Sequence, residues 1–210
     1  MIIIRTEHDI QTSYLYAYSE ELVEEAENKG LKVVKLEGDN ITLANLRGKI
    51  KHSQPRFIFF NGHGSTNSLF KNREEEFVTI DSADVFKGTV AYTIACNCLE
   101  GLGSEAVQKG CKAFIGYDRP FWIAREHKSE SRPLEDKVAK PIMECSNIVV
   151  KSLIKGNSVE ESIKKSHQKA HDNVIKLIYS KEPLAAASLQ ALVANDGALA
   201  FKGEGSTKII

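Results

Sequence analysis

Apolar residues follow two alternating rhythms along this chain. Short runs rich in β-branched and aromatic residues fall at residues 1–5, 31–36, 57–60, 90–95 and 111–117. Runs of this length read as buried strands. Between them the apolar residues recur every three or four positions. Residues 14–29 place Leu15, Tyr18, Leu22 and Ala26 on one helical face, and Gly30 ends the pattern. Residues 41–51 align Leu43, Leu46 and Ile50 before Pro55, and residues 101–109 align Leu102, Ala106 and Val107 before Gly110. The alternation predicts an α/β fold: a mainly parallel sheet of about six strands with helices on both faces, a three-layer sandwich.

Other segments break the rhythm. Residues 6–13 are polar and read as a loop leaving the first strand, with His8 and Asp9 in it. Residues 65–76 read as an exposed loop or small hairpin, residues 77–80 as a short extra strand, and Asp81 as the N-cap of a short helix over 82–86 that stops before Gly88. The last third is mainly helical. Residues 134–155 form a long pattern that Pro141 splits or kinks. Ser158 and Glu161 make a capping box for a helix reaching about Tyr179, with Ile163, His167, Ala170, Val174 and Leu177 on one stripe. Residues 184–194 form a further helix, Asn195-Asp196-Gly197 a turn, residues 198–202 a last strand, and the tail from Gly203 frays. The organisation is one domain over 1–210: a core sheet in 1–125, a helical part in 126–196 and a closing strand in 197–202.

Composition narrows the function classes. With 210 residues, 42% of them hydrophobic, the chain can bury one sizeable core. Its formal net charge of zero leaves no electrostatic footprint for nucleic acid or a membrane surface. No apolar run approaches the roughly 20 residues of a membrane span. Met1 leads directly into Ile2-Ile3-Ile4, which reads as a strand and not as a signal peptide. Cys96, Cys98, Cys111 and Cys145 then read as free thiols in a reducing, cytoplasmic setting. No cofactor is expected.

Two strand ends carry the candidate chemistry. Phe57-Ile58-Phe59-Phe60 ends at Asn61-Gly62-His63-Gly64-Ser65, and Val90-Ala91-Tyr92-Thr93-Ile94-Ala95 ends at Cys96-Asn97-Cys98. Ligands of open α/β sheets bind beyond the carboxyl ends of the strands. If these strands are neighbours, an imidazole and a thiol share one rim, the pairing used for a cysteine nucleophile with a histidine base. The strand ending at Tyr117 adds Asp118-Arg119-Pro120-Phe121-Trp122 to that rim. Asp118 reads either as a substrate-binding carboxylate for a basic side chain or as a turn residue paired with Arg119. Trp122 reads as a cleft wall or a cover for the sheet edge, and His8 as a substrate contact or plain surface polarity. Cys96-Asn97-Cys98 with His63 is a poor zinc site, because structural zinc prefers wider cysteine spacing and a fourth ligand. His167 and His171 share a helix face, but Gln168 replaces the glutamate a metalloprotease helix needs. No metal is expected from these patterns.

The two strand-end motifs resemble those of the caspase-like cysteine peptidases, the group of caspases, legumain, gingipains, clostripain and CHAT domains. The Gly116-Tyr117-Asp118-Arg119-Pro120 segment and the late Asn195-Asp196-Gly197-Ala198-Leu199-Ala200-Phe201-Lys202-Gly203 segment are similar to the gingipain, clostripain and CHAT branch. The resemblance covers residues 1–125 by element order and is sharp at the two motifs. It implies that Cys96 is the nucleophile, that His63 is its base, and that the Gly64 N–H helps form the oxyanion hole. It further implies a peptide or protein substrate. Cleavage would proceed through an acyl-enzyme. Caspases carry Gln-Ala-Cys-Arg-Gly and legumain a glutamate two residues before its cysteine. Ile94 stands at that place here, so a polar wall of the primary pocket is missing. Two other readings stand beside the peptidase: a silent caspase-like binding domain, and a redox or acyl-transfer protein using Cys96 and Cys98.

Overall fold

The computed structural model describes all 210 residues. The first half alternates strand and helix: β1 (Ile2–Arg5), α1 (Ile10–Asn28), β2 (Val34–Glu37), α2 (Leu43–Ser53) and β3 (Phe57–Asn61). A small hairpin region follows, with β4 (His63–Gly64), β5 (Ser68–Phe70) and β6 (Glu76–Thr79), then a 3₁₀ segment over Ile80–Phe86. The core sheet resumes with β7 (Val90–Ile94), α3 (Ser104–Gln108) and β8 (Ala113–Tyr117). The chain closes with α4 (Lys140–Ile154), α5 (Val159–Ile178), α6 (Ala185–Ala198) and β9 (Leu199–Gly203).

Six strands form one sheet in the order β2-β1-β3-β7-β8-β9, parallel except for β9, and β4-β5-β6 form a separate antiparallel sheet. Side-chain alternation divides the six-stranded sheet into two cores. Ile3, Phe57, Phe59, Tyr92, Ile115 and Tyr117 face α1, α4 and α5. Ile2, Ile4, Ile58, Phe60, Ala91 and Phe114 face α2, the 3₁₀ segment and α3. This is the three-layer sandwich expected from the rhythm of the chain. No helix is long and apolar enough to cross a membrane.

Several boundaries differ from expectation, each for a local reason. The segment 6–13 is only partly a loop: α1 starts at Ile10, because the Asp9 carboxylate accepts the Thr12 N–H at 2.9 Å while Thr12 Oγ1 accepts the Asp9 N–H at 3.0 Å. The second strand begins late, since Leu31 is spent closing α1 through its N–H to the Ala26 carbonyl, with Gly30 left-handed at φ 76°. The 3₁₀ segment is capped by Thr79 and Ser82, not by Asp81. Residues 101–109 open as a π-helical turn over Leu99–Gly103, with Gly101 pressed against the Thr66 carbonyl. Pro141 sits in the first turn of α4, where its missing N–H costs nothing, so it starts that helix instead of kinking it. Asn195, Asp196 and Gly197 lie inside α6 and form no turn. The tail is not frayed: Ile209 is buried in the core, and the Val159 and Glu160 N–H groups donate to the Thr207 and Gly205 carbonyls, each at 3.0 Å.

Two polar networks pin these layers. Arg5, 1% exposed, bonds Glu37 through Nε at 2.8 Å, also pairs with Glu20, and stacks over the Tyr16 ring at 4.2 Å. Asp136 is fully buried and accepts from Tyr14 Oη at 2.6 Å and from the N–H groups of Glu126 and Val138, each at 2.8 Å. It ties the long excursion between β8 and α4 back onto α1. The histidine stripe on α5 has a partner as well: His167 Nδ1 lies 2.7 Å from Asp196 Oδ1 on α6.

Arg5→Met removes the cation but leaves two carboxylates that keep contact with water, so it should cost roughly 2–3 kcal/mol in denaturant unfolding, less than for a fully buried pair. The hydrogen bond to Asp196 raises the pKa of His167 against a smaller opposing effect of burial. A raised folded-state value stabilises the fold below the unfolded value of about 6.5, and the gain disappears as pH rises through the folded value. His167→Gln should therefore lose stability at pH 5.5 and match the parent at pH 8.5. The pair is partly exposed, so the loss should stay under about 1 kcal/mol.

Candidate active site

Strand order reverses between β1 and β3, which makes their carboxyl ends the crevice where an open α/β sheet binds ligands. Three segments leave the sheet there: residues 6–9 after β1, Gly62-His63 after β3, and Ala95-Cys96 after β7. β3 and β7 are hydrogen-bonded neighbours in register, Phe60 opposite Thr93 and Asn61 opposite Ile94, so the histidine and cysteine motifs emerge side by side.

Glycines let these ends converge. A Cβ on Gly62 would come within 2.5 Å of Thr6 Oγ1, and one on Gly64 within 2.8 Å of the Ala95 Cβ and 3.2 Å of the Cys96 carbonyl oxygen. Gly64 is thus in contact with the segment that carries the cysteine. His63 sits on β4, paired with Phe70 of β5, so a strand holds it where a mobile loop would leave it loose.

His63 Nε2 lies 2.7 Å from Asp9 Oδ2. An ionised carboxylate only accepts, so Nε2 carries the proton and Nδ1 is left as the basic nitrogen. Burial opposes ionisation of Asp9. Hydrogen bonds from Thr12, His63 and Arg73 outweigh it and hold the carboxyl well below its usual range. Arg73 reaches the same Oδ2 at 3.0 Å from an exposed position.

Cys96 lies two residues past the end of β7 and is half-buried. Asn97 follows with φ 58°, a left-handed residue that turns the chain sharply after the sulfur. Burial raises the Cys96 thiol pKa, and the Phe121 N–H, 3.4 Å from Sγ, partly offsets it. The resting sulfur is therefore a thiol. Cys98 differs: it is 0% exposed, bonded to Thr93 Oγ1 at 2.9 Å, and pushed up to about 11 by burial.

His63 and Cys96 line one cleft of about 360 Å³, together with Gln11, Thr12 and Gly62 and the apolar side chains of Phe121, Trp122 and Ile123. Trp122 is held there by its backbone: its N–H donates to Asn195 Oδ1 and its carbonyl accepts from Asn195 Nδ2, both at 2.8 Å. Asp118 does not line the cleft and pairs with Arg119 at 3.0 Å. His8 does not line it either; its ring lies beside His63, centroids 5.2 Å apart. A larger cavity of about 530 Å³ opens between residues 126–138 and the ends of α5 and α6, but neither cysteine nor histidine lines it.

Two members of the site were not singled out from the sequence in these roles. Asp9 as the partner of His63 was one. Its signal was the Asp9-Thr12 spacing of a capping box, which would have placed it at a helix start on the rim. Arg125, the cation on the cleft wall, was the other and left no signal. The chain matches no protein-family model and no curated protein sequence.

Gly64→Ala should destabilise the protein by about 1–3 kcal/mol, because the new methyl must displace Ala95 and the Cys96 backbone. Gly48→Ala is the control: it lies in α2 with nothing within 4 Å of a Cβ. That exchange should be neutral or stabilising by about 0.5–1 kcal/mol. Thermal melts of the two variants check the contrast.

Proposed function

We propose that this chain is a cysteine endopeptidase of the caspase-like kind, with Cys96 as nucleophile, His63 as base and Asp9 as the residue that orients His63. The observation that carries the reading is the sharing of one cleft by Cys96 and His63 while Asp9 occupies Nε2 of the imidazole and leaves Nδ1 free of it. That arrangement follows the logic of a nucleophile, a base and a third group that fixes the base.

The steps follow from the protonation states. His63 Nδ1 takes the Cys96 proton as the sulfur attacks the peptide carbonyl carbon. The imidazolium formed is stabilised by Asp9, which keeps its negative charge. The tetrahedral oxyanion is received by the N–H groups of Gly64 and Cys96. Each such fixed donor is worth roughly 3–4 kcal/mol. Collapse breaks the C–N bond, and the imidazolium proton goes to the departing amine. Water, deprotonated by His63, then cleaves the thioester and returns the thiol. The apolar walls at Ile94, Phe121, Trp122 and Ile123 favour substrates with apolar side chains near the scissile bond.

Acyloxymethyl ketone labelling with mass mapping tests this. The label should fall on Cys96, and His63→Ala should slow it roughly 10²–10⁴-fold. Asp9→Asn is the informative third variant, because asparagine caps a helix as well as aspartate does. Its labelling should slow by at least about tenfold with the fold intact, since only the charge behind the imidazolium is lost. Labelling that ignores His63 would instead mark a silent binding domain, and a reducible Cys96–Cys98 link would mark a redox protein. Peptide-library cleavage that survives Cys96→Ala would refute the assignment of the nucleophile.

A further inference from the structure

His8 stands at this rim without a role in the proposed chemistry, and its surroundings are unusual. Its side chain is 19% exposed, yet both ring nitrogens are turned away from solvent and neither has a hydrogen-bond partner in the protein. A buried imidazole N–H without a partner forfeits roughly 1–3 kcal/mol, so such a group calls for a specific explanation. Its Nε2 stands 3.8 Å from Asp9 Oδ2, the atom that His63 Nε2 contacts at 2.7 Å. Ligand atoms of His8, Asp9 and His63 all lie within 4.8 Å of one another.

We propose that His8, Asp9 and His63 form a binding site for a divalent transition ion of the zinc type, and that the bound ion switches off His63 as a base. Two imidazoles and a carboxylate are a common donor set for Zn²⁺, with water in the fourth position. Donors about 2.0 Å from a tetrahedral ion lie about 3.3 Å apart, so the three side chains need only small rotations to close on it. Thr12 already fixes the carboxylate: its N–H donates to Asp9 Oδ1 at 2.9 Å, which orients Oδ2 toward the two rings.

One group opposes the ion. Arg73 places its Nε on the same Oδ2 from a side chain that is 69% exposed. It occupies the cation position and can leave into water, which makes it a built-in competitor that lowers the affinity for the ion.

The inhibitory consequence follows from the tautomer and rests on the peptidase reading; the site itself does not. When the ion takes His63 Nε2, the proton formerly there moves to Nδ1 if the ring stays neutral. Nδ1 is then an N–H donor and no longer accepts the Cys96 proton. No bond to carbon or sulfur changes, and removal of the ion restores the original tautomer.

Zinc chloride titrated in competition with a metallochromic indicator tests the site. The parent protein should bind one Zn²⁺ per chain. His8→Ala and His8→Gln should weaken binding at least roughly tenfold. Arg73→Ala should tighten it, and Cys96→Ala should leave it unchanged. Unchanged affinity in both His8 variants would overturn the site, as would loss of binding in Cys96→Ala, which would place the ion on the thiol. Iodoacetamide alkylation of Cys96 reads the consequence. Zn²⁺ should slow it in the parent, a chelator should restore it, and the His8 variants should be insensitive at the same zinc concentration. Zinc that binds through His8 without slowing alkylation would overturn the inhibitory half. Alkylation that is independent of His63 without zinc would count against the peptidase reading and leave the site standing.

Discussion

The Asp9 carboxylate serves two structures at once, and the rim depends on that. One oxygen closes the first turn of α1, the helix that covers β1 and β3, through the Thr12 N–H. The other holds the imidazole of His63, which arrives from the end of β3. A carboxylate can accept several hydrogen bonds, and charge-assisted ones are about twice as strong as neutral ones. Helix start and histidine orientation are therefore coupled: the ring cannot turn without breaking a contact to a group that the helix itself fixes. The net lowering of the Asp9 pKa is the electrostatic expression of that coupling, and it keeps the carboxylate charged where the proposed imidazolium would form.

Convergence of three strand ends is a topological consequence before it is a chemical one. In a parallel sheet all carboxyl ends lie on one edge, and reversal of strand order between β1 and β3 opens the connections away from each other there. The crevice would be wide if each connection carried ordinary side chains. Gly62 removes the Cβ that would meet Thr6, and Gly64 removes the one that would meet Ala95. Backbones from β1, β3 and β7 thereby approach closely enough for side chains separated by tens of residues to share a cleft of small-ligand size. The same closeness leaves His8 against His63 with both ring nitrogens out of reach of solvent and without a protein partner, the feature on which the metal site is argued.

Much of this was legible in the chain, for a definable reason. His63 and Cys96 end uncharged runs whose burial on both faces is written into every residue, and strand ends of a parallel sheet have one destination. Asp9 was harder. The hydrophobic rhythm of α1 begins at Leu15, while the first turn carries Gln11, Ser13 and an exposed Ile10, so periodicity cannot find where the helix starts. A cap is a local hydrogen bond and not a pattern. Asn195-Asp196-Gly197 misled in the opposite sense. These are turn residues by propensity, yet each has a tertiary engagement: Asn195 clamps Trp122, Asp196 pairs with His167, and the Gly197 carbonyl accepts from Arg119. Tertiary contacts override propensity here. The tail escaped for the same reason: a single buried side chain, Ile209, and backbone groups bonded to the start of α5 hold it, and neither makes a periodic pattern.

The two neighbouring thiols show how position, and not residue type, separates chemistry from packing. Cys96 and Cys98 flank the left-handed Asn97, so the turn sends them in different directions. Cys98 goes under the sheet end, against Thr93 and close to Gly116, in a site where burial pushes its thiol up to about 11 and no solvent reaches it. A thiolate there would forfeit hydration without gaining a cation, so the residue behaves as a small apolar side chain with a weak hydrogen bond. Cys96 is raised by the same cause but faces the cleft, with a backbone N–H at its sulfur and an imidazole on the opposing strand end. Reactivity requires access together with a route for the proton; within this turn Cys96 alone faces the cleft, and the proposed chemistry would send its proton to His63.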